Sequence, residues 1–249
     1  MMSTRVLAGF HAVGARLRHA PQSIEMIYVD ARRRDARMRD LQQRAKSLAV
    51  AVTAVDIDKL RSLAGEAPHQ GVVAMASQLE QAVSLDDVLN RVDASTLLLL
   101  LDGVTDPRNL GACLRVADAA GVSAVIVPRD RAAALTPSAL KAAAGAAETV
   151  PLIAVINLAR AMDDLRDVGV RLIGAAAEAE RSLYEIDLSG PLAWALGSED
   201  LGLRRLTRER CDVLARIPLT GHVESLNVSV ATGICLFESI RQRGSTPPA

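Results

Sequence analysis

Residues 97–101 are five consecutive leucines. A run this short and this uniformly apolar suits a strand covered on both faces, the position strands take in a parallel sheet flanked by helices. Comparable runs recur at residues 124–127, 152–156, 170–175, 192–196 and 213–217, with helical segments between most of them. That alternation predicts an α/β sheet with ligand-binding loops beyond the carboxyl ends of its strands.

The region upstream is separate and smaller. Residues 6–20 open on an apolar stretch and pass into a helical pattern with Val13 and Leu17 one turn apart. Strands are expected at 27–29, 50–55 and 72–75, with helices at 36–48 (Leu41, Ala45 and Leu48 inward) and 59–63. The predicted organisation is a small α/β domain over 1–76, a linker with a short helix over 77–94, a larger domain over 95–243 and a polar tail over 244–249. A chain of 249 residues with 50% hydrophobic content has ample material for two such cores.

Charge and composition narrow the partners. The formal net charge is zero, but residues 1–76 hold 12 Lys and Arg against 7 Asp and Glu, or +5, and the remainder holds 17 against 22, or −5. A basic arm beside a neutral-to-acidic body fits a polyanionic partner, as does an ordinary solvated surface. Aromatic residues are 2% of the chain, so base stacking on rings is scarce and any RNA contact leans on arginine. The run Arg32-Arg33-Arg34, followed by Arg37 and Arg39, reads either as a phosphate-gripping patch or as a solvated helix start. Cys113, Cys211 and Cys235 are odd in number and far apart, as expected of reduced thiols in a cytoplasmic protein. The four histidines have no metal-ligand spacing, and no metal is expected. No leader peptide or membrane-spanning run is expected either.

Three loops stand at predicted strand ends. Residues 102–115 read DGVTDPRNLGACLR: Asp106-Pro107 turns the chain, Asn109 is placed to cap, and a helix follows with Leu110, Leu114 and Ala117 inward. Arg115 follows Gly111, which leaves space beside it. Residues 196–203 read LGSEDLGL, with Glu199 bracketed by glycines that let backbone approach a ligand. This loop is neither GxGxxG nor GxxxxGK[ST], so it supports neither a dinucleotide fold nor a P-loop. Residues 217–238 turn at Thr220-Gly221. They crowd His222, Glu224, Ser225 and Asn227 at the start of a helix whose expected apolar face is Val230, Ile234, Phe237 and Ile240. Ser225 and Asn227 read as helix caps or as one wall of a ligand site.

Taken together, Asn109-Leu110-Gly111 with Arg115, Gly197-Ser198-Glu199 with Gly202, and Ile217-Pro218 with Ser225-Leu226-Asn227-Val228-Ser229 resemble, in order and spacing, the three motifs of the SpoU/TrmH RNA 2′-O-ribose methyltransferases. Gly9-Phe10-His11-Ala12-Val13, Pro68-His69-Gln70-Gly71 and Leu206-Thr207-Arg208-Glu209 extend the resemblance. They point to the bacterial branch that methylates a guanosine in the peptidyl-transferase P-loop of 23S ribosomal RNA. The fold implied is an α/β, trefoil-knotted SPOUT methyltransferase domain preceded by a small L30e-like substrate-binding domain. The assembly implied is a homodimer sharing its active sites.

S-adenosyl-L-methionine is the implied cofactor, held by Gly197, Ser198, Ile217, Leu219 and Leu226. The implied partner is 23S rRNA or a precursor large subunit, gripped by Arg32, Arg33, Arg34 and His69. Arg115 is the implied central catalytic residue, with Glu199 orienting Arg115 or the ribose, Ser225 and Asn227 holding the methionine end or the hydroxyl, and Asn109 positioning the loop. A guanidinium stays protonated near neutral pH, so Arg115 suits a phosphate and a developing alkoxide better than it suits proton abstraction. Alternatives are a transfer-RNA or other rRNA target and a catalytically silent assembly factor. His11 fits an RNA contact and a packing role equally. Glu224 departs from the small neutral residue expected before the third motif and brings negative charge near the RNA entrance.

Overall fold

The computed structural model describes residues 4–77 and 84–244. They form two compact units: the described residues up to 77 together with Ala144–Thr149, and the remainder from 84 onward. In chain order the smaller unit carries β1 (Thr4–Ala8), α1 (Phe10–His19), β2 (Ile24–Asp30), α2 (Ala36–Ser47), β3 (Val52–Val55), α3 (Ile57–Ala64) and β4 (Val72–Ser77). Its sheet runs β1-β4-β2-β3, with β4 antiparallel to both neighbours and β2 parallel to β3. Phe10, Val13 and Leu17 of α1 and Met38, Leu41 and Ala45 of α2 form the core with Ile27, Val29, Val72 and Ala74. Asp35 and Asp56 cap α2 and α3 by accepting from Met38 N (3.1 Å) and Lys59 N (2.7 Å). Leu48, expected inward, is 44% exposed because α2 ends one residue before it.

Arg16 is buried in this unit. Its guanidinium reaches Glu148 (2.7 Å), the Ser77 carbonyl (2.9 Å) and Ser23 Oγ (3.2 Å). Glu148 also pairs with Arg5 at 2.8 Å. A buried charge persists only where it is paired and hydrogen-bonded. These ion pairs place Ala144–Thr149, which the sequence reading counts with the larger domain, in the smaller unit.

The larger unit carries α4 (Leu85–Leu89), β5 (Leu97–Asp102), α5 (Pro107–Ala119), β6 (Ala124–Pro128), α6 (Pro137–Ala143), β7 (Leu152–Val155) and α7 (Leu158–Asp167). It continues with β8 (Arg171–Ala175), β9 (Arg181–Ser182), β10 (Leu192–Gly197), α8 (Arg205–Arg210), β11 (Val213–Arg216) and α9 (Val228–Gln242). Seven parallel strands run in the order β7-β6-β5-β10-β8-β11-β9. Each of the six apolar runs becomes a strand. The two-residue β9 begins with a charged side chain and has no such signal. Residues 78–83 of the expected linker lie outside the described residues, and α4 supplies its short helix.

Two local expectations are corrected. Asp106, not Asn109, caps α5, accepting from Arg108 N at 2.8 Å with Pro107 at the first helical position. Gly111 makes no room for Arg115. It is buried against α6, where an added Cβ would stand 2.2 Å from the Ala139 carbonyl oxygen.

Helix α9 also turns the other way. Its buried side is Val228, Thr232, Cys235, Leu236, Glu238 and Ser239, while Val230 and Phe237 are 51% and 50% exposed. The buried polar groups are satisfied. Thr232 Oγ1 donates to the Val228 carbonyl (2.7 Å), and Ser239 Oγ donates to the Cys235 carbonyl (2.9 Å) while accepting from Trp194 Nε1 (2.9 Å).

Candidate functional site

Because β10 lies between β5 and β8, the carboxyl ends of β5, β8, β10 and β11 come together on one edge of the sheet. A cavity of about 310 Å³ opens there, a size typical of small-ligand sites. Gly197, Ser198, Ile217, Leu219 and Leu226, all expected at the cofactor, line it, as do Glu199 and Ser225. Glycine at 197 is required by the chain itself: a Cβ there would lie 1.9 Å from Gly202 C. Ser198 and Gly202 form an isolated antiparallel bridge, and Ser198 Oγ accepts from Leu201 N at 3.2 Å. The loop thus closes on itself and aims Glu199 along the sheet edge.

The three motifs meet at the Glu199 carboxylate. Oε1 accepts from Asn109 Nδ2 (3.1 Å), from Val228 N (3.2 Å) and, in a short contact, from Asn227 Nδ2. Asn227 Nδ2 also donates to Asn109 Oδ1 at 3.0 Å. Its own Oδ1 caps α9, accepting from Ser229 N (3.0 Å) and Ser229 Oγ (2.6 Å). Asn227 is thus the helix cap, its Oδ1 capping α9 while its Nδ2 joins the Glu199 cluster beside the cavity. A carboxylate beside the first amides of a helix is also favoured by the helix dipole.

Glu199 does not hold Arg115: its hydrogen bonds fix the two asparagines instead. Arg115 is exposed, six residues beyond Asn109 on α5, about 9 Å along the axis. Ser225 is exposed on the cavity wall. Glu224 faces the cavity as well, and Glu178 is ion-paired with Arg208 on the same lining. The stretch from Ala175 to Glu178 was missed because an alanine-rich strand end carries no motif, and Arg208, although part of Leu206-Thr207-Arg208-Glu209, was not assigned to the site.

The thiols near the site are inert. Burial raises Cys113 to about 11, with the Glu199 charge adding to the effect and Thr232 opposing it. Burial likewise raises Cys211 and Cys235 to about 12. Among the described residues no group of His, Cys, Asp and Glu could hold a metal.

In the smaller unit the arginine run is partly structural. Arg33 pairs with Asp35 and the Gln70 carbonyl, and its guanidinium lies over the Phe10 ring at 4.6 Å. Arg37 covers the same ring at 4.6 Å and contacts His11 Nε2 at 3.1 Å. Arg32 and Arg34 are exposed, whereas His69 is half-buried and accepts from Gly71 N through Nδ1 at 3.1 Å. The stack of Arg33 and Arg37 on Phe10 is not visible in the sequence, where Phe10 and the arginines stand far apart.

Residues 96–237 match the model of the SpoU rRNA Methylase family, and residues 6–82 match that of RNA 2′-O ribose methyltransferase substrate binding. A 23S rRNA (guanosine-2′-O-)-methyltransferase RlmB of Ralstonia nicotianae is 54% identical over 247 residues, 99% of each chain. Its counterpart in Pseudomonas aeruginosa is 51% identical over 94% of this chain and 95% of its own. Among solved structures, an RNA 2′-O ribose methyltransferase superposes with a TM-score of 0.74 at 27% identity, over 96% of this chain and 88% of that one. The SpoU methyltransferase AviRb from Streptomyces viridochromogenes, in complex with the cofactor AdoMet, gives 0.71 at 26% identity over 96% and 90%.

Proposed function

The chain belongs to the SpoU rRNA methylase family, and on that premise we propose that it transfers a methyl group from S-adenosyl-L-methionine to the ribose 2′-oxygen of a guanosine in the peptidyl-transferase P-loop of 23S rRNA. One observation carries the reading: Asn109, Glu199 and Asn227, one from each motif, converge in a single hydrogen-bonded cluster beside a ligand-sized cavity.

The cavity suits a cationic cofactor. Its walls are mainly small and aliphatic, and Glu199 and Glu224 line them, while Glu178 is taken up by Arg208 on the same lining. S-adenosyl-L-methionine supplies an activated methyl on a sulfonium. The chain's own contribution is position and electrostatics. Gly197, Ser198, Ile217, Leu219 and Leu226 hold the cofactor, largely through backbone, and Ser225 faces the reacting groups. Glu199 fixes the side-chain amides of Asn109 and Asn227 beside it. Arg115, exposed on α5, binds the phosphate next to the target ribose and stabilises the alkoxide as it develops, while the proton leaves to phosphate or water.

Arg32, Arg34 and His69, with Arg33 braced on Phe10, hold RNA on the amino-terminal domain, for which the substrate-binding match of residues 6–82 gives support. The domains proposed are an L30e-like unit over 1–76, a linker over 77–94 and a trefoil-knotted SPOUT unit over 95–243. Cytoplasmic rRNA or a precursor large subunit is the substrate, and the enzyme works as a homodimer. Val230 and Phe237, both half exposed on α9, support a second copy packing there.

The test is transfer of labelled methyl to 23S rRNA by wild type and Arg115→Ala, with the nucleotide mapped by alkali resistance of its 3′ linkage. A single 2′-O-methylguanosine is expected with wild type, and at least a ~100-fold loss with Arg115→Ala at unchanged cofactor affinity. Label in transfer RNA alone, or near-normal turnover without Arg115, overturns the substrate or the role.

A further inference from the structure

A second cavity, about 450 Å³, opens on the same edge of the larger sheet. Its floor comes from the carboxyl ends of β5 and β6, at Asp102 and Pro128, and its sides from Asn157 and Leu158 after β7 and from Arg204 to Thr207. Crevices beyond strand carboxyl ends are where open parallel sheets bind ligands. The catalytic cluster uses none of these residues.

Two features select the occupant. Three arginines line this cavity, Arg131, Arg204 and Arg205, against the single carboxylate of Asp102. Asp102 is 1% exposed and committed to Arg204, accepting from its Nε at 2.6 Å and its backbone N at 3.0 Å. Arg205 shares Glu209 at 2.7 Å on the surface, and Arg131 is exposed with no hydrogen-bond or ion-pair partner among the described residues. Beside these cations sit bare apolar groups: Ile156 is 74% exposed and Leu206 47% exposed. Guanidinium donors next to an apolar ledge suit a group with an anionic end and a flat apolar face, the chemistry of a nucleotide.

The position selects its source. Asp102 and Gly197 are register partners at the ends of β5 and β10, and they line the second and first cavities respectively. Leu203 faces the first cavity, and Arg204, the next residue, faces the second. Neighbouring strands are about 4.8 Å apart, so one ridge separates two openings within reach of consecutive nucleotides.

We propose that the second cavity is a nucleotide subsite for the single-stranded RNA that presents the target ribose, with Arg131 on its phosphate and Ile156 and Leu206 under its base. This rests on the reading of the first cavity as a methyl-transfer site on RNA. Arg131 is the principal phosphate contact, and the Asp102–Arg204 pair is the wall between the two subsites.

The experiment measures binding of a single-stranded RNA 12-mer to the full chain as a function of salt, alongside methyl transfer to 23S rRNA. Each phosphate contact on a single strand contributes about 0.7 to the slope of log K against log salt. Arg131→Ala should lower that slope by about 0.7 and weaken binding, while S-adenosylmethionine affinity stays as in wild type. Ile156→Ala should weaken RNA binding about tenfold through the lost apolar contact while leaving the salt slope unchanged. Arg171→Gln, at the amino-terminal end of β8, should leave the slope unchanged. An unaltered slope in Arg131→Ala, an equal fall in Arg171→Gln, or wild type that binds no single-stranded RNA overturns the subsite. Failure of wild type to methylate 23S rRNA while Arg131→Ala still lowers the slope overturns the proposed reaction and leaves the subsite standing.

Discussion

Replacing Gly197 by alanine tests the geometry on which the site depends. The added Cβ would stand 1.9 Å from Gly202 C, 2.0 Å from its oxygen and 2.3 Å from Leu203 N, all backbone atoms. Ordinary contact begins at 3.4 Å, so this backbone must retreat by 3.4 − 1.9 = 1.5 Å. It is not free to do so. Gly202 N donates to the Ser198 carbonyl at 2.9 Å, and Arg204, two residues on, is tied to buried Asp102. Overpacking costs about 1–3 kcal/mol, and each hydrogen bond broken adds about 1 kcal/mol. A total near 3 kcal/mol corresponds to a fall in Tm of about 6–12 °C for a unit of this size.

Calorimetric melting and titration with S-adenosylmethionine read the two consequences together, and donor affinity should fall at least about tenfold as the cavity wall shifts. Gly202→Ala is the contrast. Nothing lies within 4 Å of its added Cβ, and only the positive φ of 61° resists the change, at about 1–2 kcal/mol. A Gly197→Ala protein melting within about 2 °C of wild type with unchanged donor affinity would refute the close-approach argument, as would a larger effect at Gly202.

Glu199→Ala should lower kcat about 100-fold by releasing Asn109 and Asn227. Glu199→Gln, which keeps an acceptor oxygen, should recover part of that loss; equal rates in the two variants would show that the hydrogen bonds do not matter. Arg243 donates to the carbonyls of Ser95 (2.9 Å), Thr96 (3.1 Å), Leu188 (3.3 Å) and Gly190 (2.5 Å), and burial lowers its pKa. Arg243→Met should cost about 2 kcal/mol, or 4–8 °C in Tm, with no change in donor affinity; an unchanged melting curve rejects this clamp. The three thiols, raised from 9.0 to about 11 or 12 by burial, stay protonated in the folded chain while their unfolded counterparts ionise. Their contribution is complete below pH 9.0 and is lost as pH climbs towards 11, at up to about 1.4 kcal/mol per pH unit for each thiol. Urea unfolding across that range should therefore show a steeper fall for wild type than for Cys235→Ala, and parallel slopes would exclude the thiols.

The parallel sheet was legible because its signal is local. A strand buried on both faces needs an unbroken apolar run, and all six such runs became strands. The pairing order was not legible: nothing within residues 192–196 says that this strand inserts between β5 and β8. The three motifs were legible in the sequence, but the hydrogen bonds that join one residue of each were not. Glu199 reaches Asn109 and Asn227 across 90 and 28 residues of chain, and only the folded sheet edge brings them within 3 Å or so of one another.

Helix α9 shows why apolar periodicity alone misassigns a face. Its most apolar line, Val230, Ile234 and Phe237, was expected inward, yet two of the three are half exposed. The inner face carries Thr232 and Ser239 at 0% exposure, each donating to the carbonyl one turn back. A hydroxyl satisfied within its own helix loses most of the penalty that keeps polar groups at the surface. Ser239 goes further, accepting the indole N–H of Trp194, the largest fully buried side chain. Once serine and threonine count as buriable, either side of α9 can face the sheet, and the Trp194 contact determines which does. Val230 and Phe237, left half exposed on the outer side, are where the proposed second copy of the chain would pack. A Phe237→Glu variant that sediments as a monomer while retaining wild-type melting of the larger unit would bear that out; an unaltered sedimentation profile would place the partner contact elsewhere.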